Sequence, residues 1–215
     1  MKILVTAGPT YERIDPVRFI GNYSTGKMGF AIAKALADGG HDVILVAGPV
    51  QLTVNHERIE RIDVESAAEM YDAVMSHFGS VDGAVLCAAV ADFTPEEVAV
   101  TKIKRLDDDL VIRLRPTRDI AASVGAIKRN DQFLVGFALE TNDELAHAVE
   151  KMRRKNLDFI VLNSLRNANS CFGYDTNQIE IIKADGARQA YPLKSKDQAA
   201  ADILAEIEKI LDIRY

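Results

Sequence analysis

Short β-branched runs alternate with stretches of helical periodicity along this chain of 215 residues, the pattern produced by βαβ units and a largely parallel sheet buried on both faces. The runs Lys2–Thr6, Asp42–Val46, Ile59–Val64, Gly83–Ala88, Phe133–Ala138 and Phe159–Asn163 read as strands. Between them, Met28, Ile32 and Ala35 share one helical face, as do Met70, Val74 and Phe78, and then Leu145, Val149 and Met152. This order predicts an α/β fold built on a Rossmann-like, doubly wound, mostly parallel sheet. The tail changes rhythm. Ile179–Lys183 and Gln189–Leu193 flank the turn signal Ala184-Asp185-Gly186-Ala187, and Ala200, Ile203, Ile207 and Leu211 then outline a final amphipathic helix. A C-terminal antiparallel hairpin on the sheet edge, covered by the last helix, is the expected arrangement. No internal repeat, low-complexity tract or Pro/Gly/Ser linker divides the chain, so residues 1–215 read as a single domain.

Charge narrows the possible partners. The chain holds 26 Lys+Arg against 32 Asp+Glu, a net −6, which argues against a protein that works by wrapping nucleic acid. A small anionic substrate needs only a local cluster of cations and stays open. No apolar run reaches the roughly 18 residues of a membrane span, and Met1 leads directly into a strand-like run without a signal-peptide layout. No membrane association and a cytoplasmic location are therefore expected. Cys87 and Cys171 stand far apart with no His at ligand spacing, which favours neither a disulfide nor a zinc site.

Two segments lack any period: Gly8 to Thr25, and Asp92 to about Leu106. Each follows a predicted strand, and open α/β sheets bind ligands beyond the carboxyl ends of their strands. The first segment ends in Gly21-Asn-Tyr-Ser-Thr-Gly26-Lys27-Met28-Gly29, which spells G-x-x-x-x-G-K. A P-loop would require Ser or Thr where Met28 stands, and it would spring straight from a strand. A nicotinamide-binding reading lacks G-x-G-x-x-G and an acidic residue after the second strand; the pair Tyr23 and Lys27 has the spacing of a dehydrogenase couple, but Tyr23 falls in a loop before the helix. What survives is the physics of the turn: glycines that let backbone approach an anion, hydroxyls on Ser24 and Thr25, and helix N-terminal donors around Gly26 and Lys27. Phosphate or carboxylate binding is expected there.

Taken together, Thr6-Ala-Gly-Pro-Thr10, Asp15-Pro-Val-Arg18, Gly21–Gly29, Val46-Ala-Gly-Pro49, Ala88-Ala-Val-Ala-Asp-Phe93, Lys102-Ile-Lys104, Gly136-Phe-Ala-Leu-Glu-Thr141 and Arg154-Lys-Asn-Leu-Asp158 closely resemble phosphopantothenoylcysteine synthetase. The resemblance runs from about Ile3 to Ile210 and keeps motif order and spacing. It implies a ligase of coenzyme A biosynthesis that activates 4′-phosphopantothenate with a nucleoside triphosphate, CTP or alternatively ATP, as an acyl-nucleotide. Cysteine then attacks through its amine. Mg²⁺ accompanying the triphosphate and a homodimer are further implications. No part of the chain resembles the flavin-dependent decarboxylase often fused to this ligase, so it reads as the ligase alone, free-standing or cut from a fusion. A nicotinamide-dependent reductase and a nucleotide-sensing module on the same fold are the rival readings.

The resemblance also implies site residues. Lys102 matches the lysine needed for turnover of the acyl-nucleotide, on a flap over the site, and Asn22 the asparagine that contacts the pantothenate-derived part. Asp92 matches a nucleotide-contacting aspartate, acting through magnesium or through sugar and base. Phe137 corresponds to the residue against the base, where an aromatic face stacks. Lys151 and Lys155 match two family lysines, and their i, i+4 spacing places both on one helical face. Backbone contacts to the base are implied for Arg118, Asp119, Ile120 and Ala121. Here the chain departs from the family: Arg118 stands where Pro usually leads into the helix, which removes a rigid approach angle and leaves nucleotide preference open.

Overall fold

The computed structural model describes residues 1–105, 109–140, 144–164, 170 and 172–214. Strand β1 (Lys2–Ala7) is followed by a two-stranded ribbon, β2 (Glu12–Arg13) and β3 (Phe19–Ile20), and by helix α1 (Lys27–Asp38). Strands β4 (Asp42–Ala47) and β5 (Ile59–Asp63), helix α2 (Ala67–Phe78) and strand β6 (Gly83–Leu86) come next. A second ribbon, β7 (Phe93–Pro95) with β8 (Leu114–Pro116), precedes helix α3 (Ile120–Ile127), strand β9 (Phe133–Glu140), helix α4 (Glu144–Arg154) and strand β10 (Phe159–Ser164). The tail contains β11 (Thr176–Asn177), β12 (Ile179–Lys183), β13 (Arg188–Ala190), β14 (Lys194–Ser195) and helix α5 (Lys196–Arg214).

Eight strands form one sheet in the order β13-β12-β10-β9-β6-β1-β4-β5. The six from β10 to β5 pair in parallel, while β12 and β13 add antiparallel to the β10 edge. Alternation along β1 explains the layering: Ile3, Val5 and Ala7 belong to the core under α1 and α5, and Leu4 belongs to the opposite core under α2, α3 and α4. Both faces are thus covered, as parallel strands require. Small residues on both partners, Ala33 and Ala37 of α1 with Ala199 and Ala200 of α5, let these two helices pack closely. Among the described residues, no helix is long and apolar enough to cross a membrane.

The expected architecture is what the chain adopts, with local differences. The strand expected over Gly83–Ala88 stops at Leu86, because the Ala88 N–H turns to the Thr6 hydroxyl (3.1 Å). The strand expected over Gln189–Leu193 is Arg188–Ala190: the Tyr191 N–H still reaches the Ile179 carbonyl (2.9 Å), but Pro192 has no N–H to continue the ladder. The first segment without a period contains the ribbon β2–β3 and the second only strand β7 of its ribbon, runs too short to show one. Leu106, Thr141 and Cys171 lie outside the described residues, as does the side chain of Leu145.

Two glycines set how α1 meets the sheet. Gly26, just before the helix, holds φ +76°, in the left-handed region that side chains rarely adopt. Gly29 faces β1 so closely that an added Cβ would lie 2.5 Å from the Ala7 Cβ. Gly29→Ala is therefore expected to cost about 1–3 kcal/mol through overpacking, read as a lower urea midpoint at unchanged m. Gly79→Ala, where a Cβ meets nothing within 4 Å, should stay within about 0.5 kcal/mol.

Candidate functional site at the carboxyl ends of the strands

The site begins where β1 and β6 stop pairing. Thr6 and Thr10, both buried, take over from the ladder. The Ala88 N–H donates to Thr6 Oγ1 (3.1 Å) and the Ala91 N–H to Thr10 Oγ1 (2.9 Å), while the Ala89 N–H reaches the Gly8 carbonyl (2.8 Å). The loop after β6 is thereby laid alongside the loop after β1 and its buried polar backbone is satisfied. Asn22 closes the bracket: its Nδ2 donates to the Ala89 carbonyl at 2.6 Å and its Oδ1 accepts the Ser24 N–H at 3.1 Å.

Beyond this bracket lies a cleft of about 540 Å³. Asn22, Asp92, Phe137, Lys151 and Lys155 line it, together with residues 118–121 at the start of α3. Sequence positions from Asn22 to Lys155 are thus brought to one place by the sheet order, since β6, β9 and β10 are neighbours. Asp92 is exposed at its rim.

Asp119 is the N-cap of α3, its Oδ1 accepting the Ala122 N–H at 3.0 Å, a contact worth about 0.5–2 kcal/mol. The Lys155 ammonium sits 2.9 and 3.0 Å from the two carboxylate oxygens. Partial burial raises the Asp119 pKa, yet the Ala122 N–H and Lys155 outweigh that effect and hold the carboxyl below its ordinary value. The family proline's absence is compensated by contacts. Arg118 lies 3.7 Å over the Tyr71 ring and 2.8 Å from Asp72, both on α2. Thr117 donates from Oγ1 to the Ala91 carbonyl (2.7 Å) and from N–H to the Asp92 carbonyl (2.9 Å). The helix approach is held from α2 and from the loop after β6 without a proline ring.

Other expected positions fall elsewhere. Ser24, Thr25, Gly26 and Lys27 line a smaller chamber beside the cleft, with Phe137 in the wall of both spaces. Lys27 pairs with Asp175 at 2.5 Å. Tyr23 is 90% exposed and precedes α1, so the dehydrogenase-like couple does not form on one helical turn. Lys102 is exposed on a separate surface hollow with Arg18, Lys104 and Arg105, outside the cleft of its own chain. Cys87 has its thiol pushed up to about 12 by burial, partly offset by the charge of Lys196, so the sulfur stays protonated.

The residues that hold Lys102 had been visible only as motif letters. Asp15, buried at 1% exposure, accepts from the N–H groups of Val17 (2.8 Å), Arg18 (2.9 Å) and Ile103 (3.1 Å), and from the Arg18 guanidinium. Arg18 also donates to the Ile103 carbonyl at 2.7 Å. Asp15 and Arg18 therefore hold the N–H and the carbonyl of Ile103, the residue next to Lys102. The Asp-Pro-x-Arg spacing was the available signal, since it places carboxylate and guanidinium three residues apart in a turn. Asn163 and Lys196, which line the smaller chamber, gave no sequence signal.

Fold and cleft define an α/β protein of the doubly wound class with its site at the carboxyl ends of the parallel strands. The chain belongs to the DNA/pantothenate metabolism flavoprotein C-terminal domain family, whose profile matches residues 1–211. A protein of an unidentified prokaryote named cysteine/cysteine sulfinic acid decarboxylase is 52% identical over 206 residues, covering 96% of this chain and 57% of that protein. The coenzyme A biosynthesis bifunctional protein CoaBC of Bacillus subtilis is 45% identical over 205 residues, 95% of this chain and 50% of that one. This chain thus spans about half the length of the curated relatives it matches. Among solved structures, the C-terminal domain of a CoaBC protein superimposes with a TM-score of 0.83 at 40% identity, covering 98% of this chain and 95% of that one.

The Arg18 guanidinium outweighs burial and, with the N–H groups of Val17, Ile103 and Arg18, holds the Asp15 carboxyl well below the usual carboxylate range. A depressed pKa of this kind contributes stability that is full above the unfolded value of about 4 and is lost as pH falls toward the folded one. Urea midpoints below about pH 4 should therefore fall more steeply for the wild type than for Asp15→Asn. At pH 7 that variant should exchange the Ile103 amide on the order of tenfold faster, measured by hydrogen exchange.

Proposed function

We propose that this chain is the phosphopantothenate–cysteine ligase part of coenzyme A biosynthesis, using CTP or ATP. The observation that carries the reading is the cleft in which Asn22, Asp92, Phe137, Lys151, Lys155 and the start of α3 meet, in a chain whose family includes CoaBC relatives. The 52% identical relative named a decarboxylase extends well beyond the match, which covers 57% of its length.

The chemistry has two steps. A carboxylate oxygen of 4′-phosphopantothenate attacks the α-phosphorus, pyrophosphate departs with the bonding pair, and an acyl-nucleotide remains. The cysteine amine then attacks the acyl carbon, the carbon–oxygen bond to the nucleotide breaks, the nucleoside monophosphate leaves, and the amine releases a proton to solvent. Both steps move negative charge onto phosphoryl oxygens, so catalysis consists mainly of placing cations and donors and excluding water.

In this reading Phe137 stacks on the base, and Lys151 and Lys155 face its oxygens or the nucleotide phosphates. Asn22, fixed through Ala89 and Ser24, presents its remaining amide capacity to the pantothenate-derived part. Among the described residues, no three His, Cys, Asp or Glu side chains gather as a preformed metal site. Mg²⁺ is commonly held by one or two carboxylates plus substrate phosphates, and Asp92 fits that minimal role. Mg²⁺ bound with the triphosphate would screen its charge. The Ser24–Lys27 turn suits a phosphate or carboxylate.

A homodimer is part of this reading, and exposed apolar side chains support it. The two ribbons join where the Ala99 N–H meets the Ile14 carbonyl at 3.0 Å, and around them Val17, Phe19, Val98, Val100, Val111 and Leu114 are exposed. Exposed apolar residues so concentrated on the Lys102 side of the molecule mark an interaction face. We read this face as the dimer contact, through which Lys102 completes the partner's cleft.

Incubation with 4′-phosphopantothenate, cysteine and either CTP or ATP should release pyrophosphate and the ligated product. No pyrophosphate with either nucleotide would overturn the ligase reading; nucleotide binding without turnover would leave a sensor, and reduced nicotinamide binding a reductase. Lys102→Gln should still bind nucleotide by calorimetry, while product formation drops on the order of 100-fold. Mixing and reassembling Lys102→Gln with Asn22→Ala should restore about a quarter of wild-type activity if lysine and cleft belong to different protomers of a two-fold dimer, and none if they belong to the same one.

A further inference from the structure

Arg118 lines the cleft at the approach to α3, and its backbone is fixed on both sides. Thr117 before it is tied to the Ala91 and Asp92 carbonyls, and Asp119 after it caps α3 and pairs with Lys155. The side chain therefore starts from a rigid point. Its guanidinium carbon lies 3.7 Å from the centroid of the Tyr71 ring, and Nη2 donates to Asp72 Oδ1 at 2.8 Å. A separation of 3.7 Å is the contact distance of one plane laid on another, the stacking that a guanidinium makes and an ammonium cannot.

Tyr71 is partly buried against the core under α2, α3 and α4, so it backs the guanidinium from the protein side. The Arg118 side chain is 54% exposed, which leaves the face turned away from Tyr71 uncovered. The charges around it disfavour a phosphate on that face. Asp72 stands at the tip of the side chain and Asp119 follows it in the chain, and both carboxylates repel an approaching polyanion. A flat heterocycle without net charge meets no such repulsion, and its π-electrons are attracted to the cation.

From this cation, stacked on a ring behind and open in front, we propose that the Arg118 guanidinium is a platform on which the base of the nucleoside triphosphate stacks. The proposal rests on the ligase reading and adds to it a side chain that selects among bases. In that reading Phe137 meets one face of the base; Arg118 covers the other. Stacking strengthens with overlap, so a two-ring purine gains more from the platform than a one-ring pyrimidine. Arg118 thereby shifts nucleotide choice toward ATP. A proline in its place, as in the family pattern, puts no plane against the base.

Calorimetric Kd values for CTP and for ATP, each with magnesium, read the platform directly. Arg118→Met should raise the ATP Kd about tenfold and the CTP Kd by no more than about threefold. Arg118→Lys keeps the charge and loses the plane, so it should follow Arg118→Met. Arg118→Pro separates stacking from rigidity. A proline restores a covalent lead-in to α3, so an arginine that only steadied the helix would be replaced without loss for either nucleotide, whereas a lost platform leaves ATP weakly bound. Equal changes for the two nucleotides in Arg118→Met, wild-type ATP affinity in Arg118→Pro or Arg118→Lys, or a wild type that binds ATP no better than Arg118→Met overturns the platform and spares the ligase reading. Absence of pyrophosphate release by the wild type with both CTP and ATP, in the presence of 4′-phosphopantothenate and cysteine, overturns both.

Discussion

Where two parallel strands stop pairing, each leaves backbone donors and acceptors without a partner, and a site can open there only if something else satisfies them. In this chain the hydroxyls of Thr6 and Thr10 do so, accepting the N–H groups of Ala88 and Ala91. The loops after β1 and β6 can therefore diverge above the sheet while their roots stay joined. The loops that line one side of the cleft depend on this junction. Asn22 is fixed to Ala89, and Thr117 carries the restraint from Ala91 and Asp92 to the start of α3. Glu12, buried in strand β2 of the first ribbon, accepts the Ala67 N–H at 2.8 Å and ties the same loop to the first turn of α2.

The electrostatics of the molecule are local. A net charge of −6 describes the surface as a whole and says little about the cleft, where Lys151 and Lys155 stand with residues 118–121 at a helix start. Lys155 is partnered by Asp119, so a polyanion arriving there meets a cation already oriented by a carboxylate that also caps α3. Lys27, Lys151, Lys155 and Lys102 do not form one cluster within the chain: the first is paired with Asp175 beside the smaller chamber and the last lies in the connection between β7 and β8, at a separate surface hollow.

The alternation of β-branched runs with helical faces made the sheet, its parallel core and the antiparallel tail legible, because burial on both faces imposes that pattern on every parallel strand. The ribbons were not legible, since two or three residues per strand give no period, and the contact from the Ile103 N–H to the Asp15 carboxylate joins loops distant in sequence. Site positions were readable through motif resemblance, and the sheet order accounts for why Asn22, Asp92, Phe137 and Lys155 share one cleft. Lys196 and Asn163 were invisible for a physical reason. A buried lysine opening a helix reads as an ordinary solvated charge, and an asparagine ending a strand reads as a turn residue.

The substitution at the head of α3 has a consequence for heat and denaturant. A proline ring restrains its own φ by covalent geometry, independent of the rest of the fold. Arg118 instead depends on Tyr71 and Asp72 of a different helix. The α3 side of the cleft thus leans in part on α2, beside the hold of Thr117 on the Ala91 and Asp92 carbonyls. A covalent restraint persists whatever its neighbours do, whereas the guanidinium stacked on Tyr71 holds only while α2 stays packed beside it.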